Sequence, residues 1–204
     1  MFKSALLPVH AYAVLVALLL WQAPRYGELW TPLYQWELSA LAHELDINEV
    51  SIVSPQGERV VMLDAAVRAG TVFGHYFFER AAPMTSSTLL GHVLLHPIVM
   101  LLILLVWPVA GLQRKGLYLL AAIPFLVVVE LLDIPLVLLG SLQDLVLSNT
   151  APDALRIAPL VNWMNLLNGG GRIALSVVAA LLAITTVQTV APYVSAKVAR
   201  QNPA

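Results

Sequence analysis

Four stretches of this 204-residue chain are apolar over lengths close to those that cross a bilayer, and they restrict its possible folds more than any other feature. A hydrocarbon layer about 30 Å thick needs roughly 20 apolar residues at about 1.5 Å each. The runs cover residues 5–21, 88–110, 117–140 and 173–191, and only the third contains acids. With 59% hydrophobic and 11% charged residues, too little polar surface remains to dissolve such runs in water. The sequence therefore predicts an all-α polytopic membrane protein: four transmembrane helices with a small α+β extracytoplasmic domain.

The predicted organisation has three parts. Residues 1–23 form a first membrane helix that stays as a signal anchor, because Trp21 stands where a cleavage site needs a small residue and Pro24 would follow the cut at Ala23. Residues 24–87 form the extracytoplasmic domain, and residues 88–204 form a three-helix membrane domain with an extracytoplasmic loop at 141–171. With the N-terminus inside, the cytoplasmic segments hold Lys3, Arg114, Lys115, Lys197 and Arg200 and no acid, as the positive-inside rule requires. Both termini are then cytoplasmic.

Segment 24–87 is near the lower size limit for independent folding and is expected to lean on a neighbour. Trp30, Leu33, Tyr34, Leu38, Leu41 and Leu45 recur at helical spacing and predict an amphipathic helix. Residues 50–54 and 59–63 are β-rich and flank Pro55, Gln56 and Gly57, which predicts a hairpin. A second helix is expected over 64–80, although Gly70 and Gly74 oppose it. Its aromatics, Phe73, Tyr76, Phe77 and Phe78, suit either a recognition surface or an anchor at the membrane interface. In loop 141–171, Leu155, Leu160, Trp163, Met164 and Leu167 predict a surface-lying helix that ends at Asn168. Gly169, Gly170 and Gly171 then offer a flexible cap, a close backbone approach, or an anion-binding nest with Arg172.

Glu130 and Asp133 are the most informative pair, because an acid at a membrane centre costs about 2.5–3.5 kcal/mol on insertion scales and demands a partner. They share a helical face at i, i+3, and His92 and His96 share another at i, i+4. Counting helix rise from the predicted outer surface puts all four in the outer half of the bilayer, with Arg172 within reach. Two imidazoles and two carboxylates suit a divalent metal site at His92, His96, Glu130 and Asp133. They also suit acid–base chemistry, and above all a structural network in which the histidines and Arg172 neutralise the acids. The H-x-x-x-H spacing lacks the glutamate of H-E-x-x-H proteases, since Val93 occupies that place.

Absences narrow the classes further. Without cysteine the chain has no disulfide, thiolate nucleophile, Cys-ligated zinc or iron–sulfur cluster. A net charge of −1 with no basic tract speaks against a nucleic-acid partner. No phosphate-binding glycine loop, dinucleotide fingerprint or G-x-S-x-G elbow occurs.

The pattern T-L-L-G-H-x-x-x-H-P (Thr88 to Pro97), W-P at Trp107 and Pro108, E-x-x-D-x-P (Glu130 to Pro135) and N-x-G-G-R ending at Arg172 resembles small bacterial inner-membrane proteins associated with exosortases. Exosortases process and sort proteins that carry a C-terminal anchor, using a Cys, Arg and His set. A chain without cysteine is not that enzyme. The resemblance implies an accessory role beside one, in the bacterial inner membrane, and assigns no catalytic residue here. The expected function is an accessory or assembly subunit that binds another membrane protein. The alternative is a membrane-embedded metal-dependent enzyme built on the His/carboxylate set, and a transporter comes third.

Overall fold

A computed structural model describes residues 2–108 and 112–201. The chain opens with helix α1 (Phe2–Trp21) and, after a break at Gln22, helix α2 (Ala23–Leu41), which Pro24 starts without sacrificing a hydrogen bond. Strands β1 (Leu45–Val53) and β2 (Val60–Val67) follow, joined by a turn at Pro55–Gly57, and then the short hairpin β3 (Thr71–Phe73) and β4 (Tyr76–Phe78). Strand β5 (Ala82–Leu89) runs directly into helix α3 (Leu90–Val106). Helix α4 (Leu112–Thr150), a turn at Pro152–Ile157, helix α5 (Pro159–Leu166), a π-turn at Leu167–Gly171 and helix α6 (Arg172–Gln201) complete it.

The all-α, four-span expectation is overturned. Helix takes 71% of the structure and strand 18%, a mixed α+β fold. Among the described residues only two helical stretches are long and apolar enough to cross a membrane, Gln113–Thr150 and Pro159–Val190. The run at 88–110 falls short because Thr88 and Leu89 are paired in β5, opposite Val61 and Val60. Its helix starts only at Leu90 and stops at Val106, before Pro108 disfavours helical geometry at Trp107. Seventeen residues rise about 26 Å, less than the hydrocarbon layer. The first run contributes a described apolar stretch of only Tyr12–Trp21, and the side chains of residues 5–9 lie outside the described set.

The other two runs lengthen instead. The third becomes part of the 39-residue α4, which continues through Ser141, Gln143 and Asp144, where a loop was expected. The fourth is joined through the π-turn to α5, with Gly170 at φ 109° marking the kink. The surface-lying helix is thus a tilted extension of the fourth run, and the connection from α4 to it is short.

In segment 24–87 the predicted hairpin is present and longer than expected, with β1 and β2 paired from Leu45↔Val67 to Val53↔Val60. The helix expected at 64–80 is strand instead: β2 extends to Val67, and Gly70 and Gly74 adopt positive φ, which suits turns rather than a helix. The sheet order is β1-β2-β5, all antiparallel.

The sheet has no core of its own. Val61, Leu63, Ala65 and Val67 alternate onto one face of β2, and they share a buried cluster with Tyr34 and Leu38 of α2, Leu90, Val93 and Leu94 of α3, and Ile134, Leu138 and Leu142 of α4. The hydroxyl of Ser86 donates to the carbonyl of Leu138 at 3.0 Å, stitching β5 to α4. A second cluster joins α3, α4 and α6 through Met100, Leu104, Ala122, Val129, Ala180 and Ile184. Its small residues let α6 lie close against its neighbours. Sheet and apolar helices are thus one packed body.

Candidate functional site

Where the two clusters meet, four helices turn polar side chains inward. Helix α4 supplies Glu130 and Asp133, both fully buried, and α3 supplies His96, also fully buried. Helix α6 supplies Arg172, 3% exposed, and Ser176, fully buried, one turn apart. Helix α2 supplies Tyr34, packed in an aromatic ladder whose members recur every four residues: Tyr26 to Trp30 at 6.1 Å edge-to-face, and Trp30 to Tyr34 at 6.3 Å stacked.

These groups make two linked pairings. The Tyr34 hydroxyl donates to Glu130 Oε2 at 2.6 Å. Asp133 Oδ2 accepts from Arg172 Nε at 2.7 Å and lies 2.9 Å from His96 Nε2. On the far side of the imidazole, His96 Nδ1 lies 2.8 Å from Ser176 Oγ, whose hydroxyl in turn donates to the Arg172 carbonyl at 2.8 Å. Arg172 Nη1 donates to Asn168 Oδ1 at 2.7 Å. One hydroxyl proton does not serve both Ser176 contacts, so either His96 Nδ1 donates to Ser176 or Ser176 turns its hydroxyl from the Arg172 carbonyl to Nδ1.

Buried polar atoms remain around this layer. Glu130 Oε1, Asp133 Oδ1, Arg172 Nη2, Tyr26 Oη and Trp30 Nε1 have no hydrogen-bond partner among the described residues. Burial first, and the charge of Glu130 second, push the Tyr26 and Tyr34 hydroxyls well above the usual phenol range, so both stay donors. Further out on α2, burial alone pushes the Glu37 carboxyl up to about 7.

The residues singled out from sequence divide. His96, Asp133 and Arg172 come together, while Glu130 on the same face turns to Tyr34 of α2. His92 stands apart, half-buried, with Nδ1 2.8 Å from Thr88 Oγ1, which lies in β5 just ahead of α3. Among the described residues no three His, Asp or Glu side chains gather closely enough to hold a metal ion, and of the set His92, His96, Glu130 and Asp133 only His96 and Asp133 are in contact. Gly169 and Gly170 lie at the surface with open space around them, whereas Arg172 turns inward to Asp133. The glycines and the guanidinium therefore do not form one anion cradle. The third glycine, Gly171, packs where a Cβ would lie 2.7 Å from the Leu166 carbonyl oxygen, a close backbone approach.

Sequence reading missed Tyr34 as the partner of Glu130, and it missed Ser176 and Asn168. A signal for the last two was present: Asn168, Arg172 and Ser176 are spaced four apart, the geometry of one helical face. Trp163 was placed on a surface helix, yet its indole donates to the Leu132 carbonyl at 2.7 Å, next to the carbonyl that Pro135 leaves without its helical donor.

Chemically, the arrangement fixes helices. Asp133 holds α3 and α6 to α4, with a charge-assisted bond from Arg172, and Glu130 holds α2 through the Tyr34 hydroxyl, both shielded from water. No family model, no curated protein and no solved structure matches this chain.

Proposed function

We propose that this protein is an accessory subunit of a bacterial inner-membrane complex, a rigid platform that binds another membrane protein on its extracytoplasmic side. The observation that carries the reading is the β3–β4 hairpin. Phe73 and Phe78 pack against the shared core, while Val72, Tyr76 and Phe77 stand 58%, 47% and 54% exposed, outside both long apolar helices. Clustered exposed aromatic and aliphatic side chains on an anchored support suit a protein interface. The buried ion pairs supply the rigidity that such a support needs. The resemblance of the Thr88–Pro97 and Glu130–Pro135 motifs to exosortase-associated proteins favours a protein-sorting enzyme as the partner. Arg114 and Lys115 stand in the first turn of α4, and Lys197 and Arg200 stand near the end of α6, so we place those ends, together with the N-terminus that carries Lys3, in the cytoplasm.

The test is gentle extraction from native membranes followed by native mass measurement. A complex heavier than the monomer is expected, with the Tyr76→Ala/Phe77→Ala double variant falling to monomer mass while its thermal unfolding stays unchanged. A wild-type chain that runs as a monomer in every mild detergent sinks the reading.

A further inference from the structure

The sheet has two free edges, β1 and β5, and the chain treats them differently. β1 carries Asp46 and Glu49 and breaks register between Ile47 and Glu49, devices that discourage further pairing. β5 pairs with β2 without interruption from Ala82 to Leu89 and has no charged residue; its one edge-blunting residue, Pro83, stands near its start and leaves the stretch from Thr85 onward unprotected.

Beside β5 runs a groove of ≈ 390 Å³, walled by Thr85, Ser86 and Ser87 on the strand, by Met62 of the neighbouring β2, and by Ser141, Asp144, Leu145 and Ser148 on α4. Consecutive strand residues point to opposite faces, so a cavity touching three in a row reaches the strand's edge, while Met62 on β2, opposite Ser87, borders it from the face turned away from the core. The helical wall is one face of α4, since its residues recur three and four apart. Asp144 is the only charged residue lining the groove, and no ion pair or hydrogen bond among the described residues engages its carboxylate.

We propose that this groove takes an extended segment of the partner protein, which adds to β5 as a fourth strand and sets a Lys or Arg side chain against Asp144. The inference rests on the subunit reading above and names how the partner is held. The chemistry selects a polypeptide: an edge strand offers N–H and C=O groups in alternation, and another extended backbone repeats the complementary groups at about 3.3 Å per residue. The hydroxyl-lined walls suit polar or small side chains, and the unneutralised carboxylate selects the cation.

The experiment pans the full-length protein in detergent micelles against a random octapeptide library displayed on phage. Enriched clones are expected to alternate β-branched residues and to carry a Lys or Arg. Asp144→Asn should weaken them about tenfold, and Ser148→Trp, which fills the groove from the exposed side of α4, should abolish binding. Ser54→Trp, beside the far edge, should leave binding intact. In synthetic copies of the best clone, backbone N-methylation should remove binding at alternate positions only, because one edge pairs with every second residue. Thermal unfolding of each variant separates groove effects from misfolding. No enrichment, clones indifferent to both Asp144→Asn and Ser148→Trp, or N-methylation without alternation would overturn strand addition. If the native complex persists while the library yields nothing, strand addition falls and the subunit reading stands.

Discussion

Asp133 is held by two cationic or donor side chains at one oxygen, and that makes it the residue whose partners matter most. Arg172→Met leaves a buried carboxylate short of its main counter-charge and is expected to cost about 3–5 kcal/mol. Removing both charges in Asp133→Leu/Arg172→Met should restore much of that loss, because an apolar pair needs no neutralisation. Chemical unfolding in a fixed detergent, read as a double-mutant cycle, decides it. Tyr34→Phe should cost about 1–3 kcal/mol by the same measurement, since it leaves both oxygens of Glu130 without a donor. Glu37 carries the pH dependence. Its Oε2 is buried without a partner, and its carboxyl is pushed up from 4.5 to about 7, so the folded state binds a proton that the unfolded chain has already released. The stability it contributes is present below pH 4.5, falls as pH rises toward 7 and is absent above that. Thermal midpoints measured from pH 4.5 to 8 should slope downward, and Glu37→Gln should flatten the slope. The requirement that Glu130 and Asp133 find partners was legible in the sequence, because an acid in an apolar run has few alternatives. That Tyr34 takes Glu130 was not, since an aromatic on an amphipathic stripe reads first as packing.

At the scale of elements, the sequence separated apolar from polar stretches well and placed their ends poorly. Thr88 and Leu89 are as compatible with a membrane helix as with a strand, and only pairing with β2 assigns them to β5. In the same way Ser141 and Asp144 look like a loop until α4 is seen to continue above Gly140 with α5 against it. Gly140 permits that contact: a Cβ there would lie 2.6 Å from the Leu160 carbonyl oxygen, a backbone atom with little freedom to retreat. Gly140→Ala should therefore push α5 from α4 and destabilise by about 1–3 kcal/mol. Gly91→Ala, at an open position in helix α3, should be neutral or mildly stabilising. Parallel thermal unfolding of the two variants checks both the site and its control.

For the whole molecule, the decisive feature is a core shared between sheet and apolar helices. The sequence signalled this only indirectly, through a segment at 24–87 too small to stand alone. A fragment of residues 24–89, made without the later helices, is expected to show the poor amide dispersion of an unfolded chain, because Leu90, Ile134, Leu138 and Leu142 close the far side of its core. Well-dispersed spectra from that fragment would show that the sheet is self-sufficient.

The bond between Tyr34 and Glu130 spans 96 residues of chain. During synthesis, at about 5–20 residues per second, α2 and the first strands therefore wait roughly 5–20 s before α4 exists to cover them. Throughout that interval the apolar face of β2 and the aromatic ladder of α2 are bare. A nascent chain of this design needs a holdase, or an already assembled partner, in place before its own second half has been made.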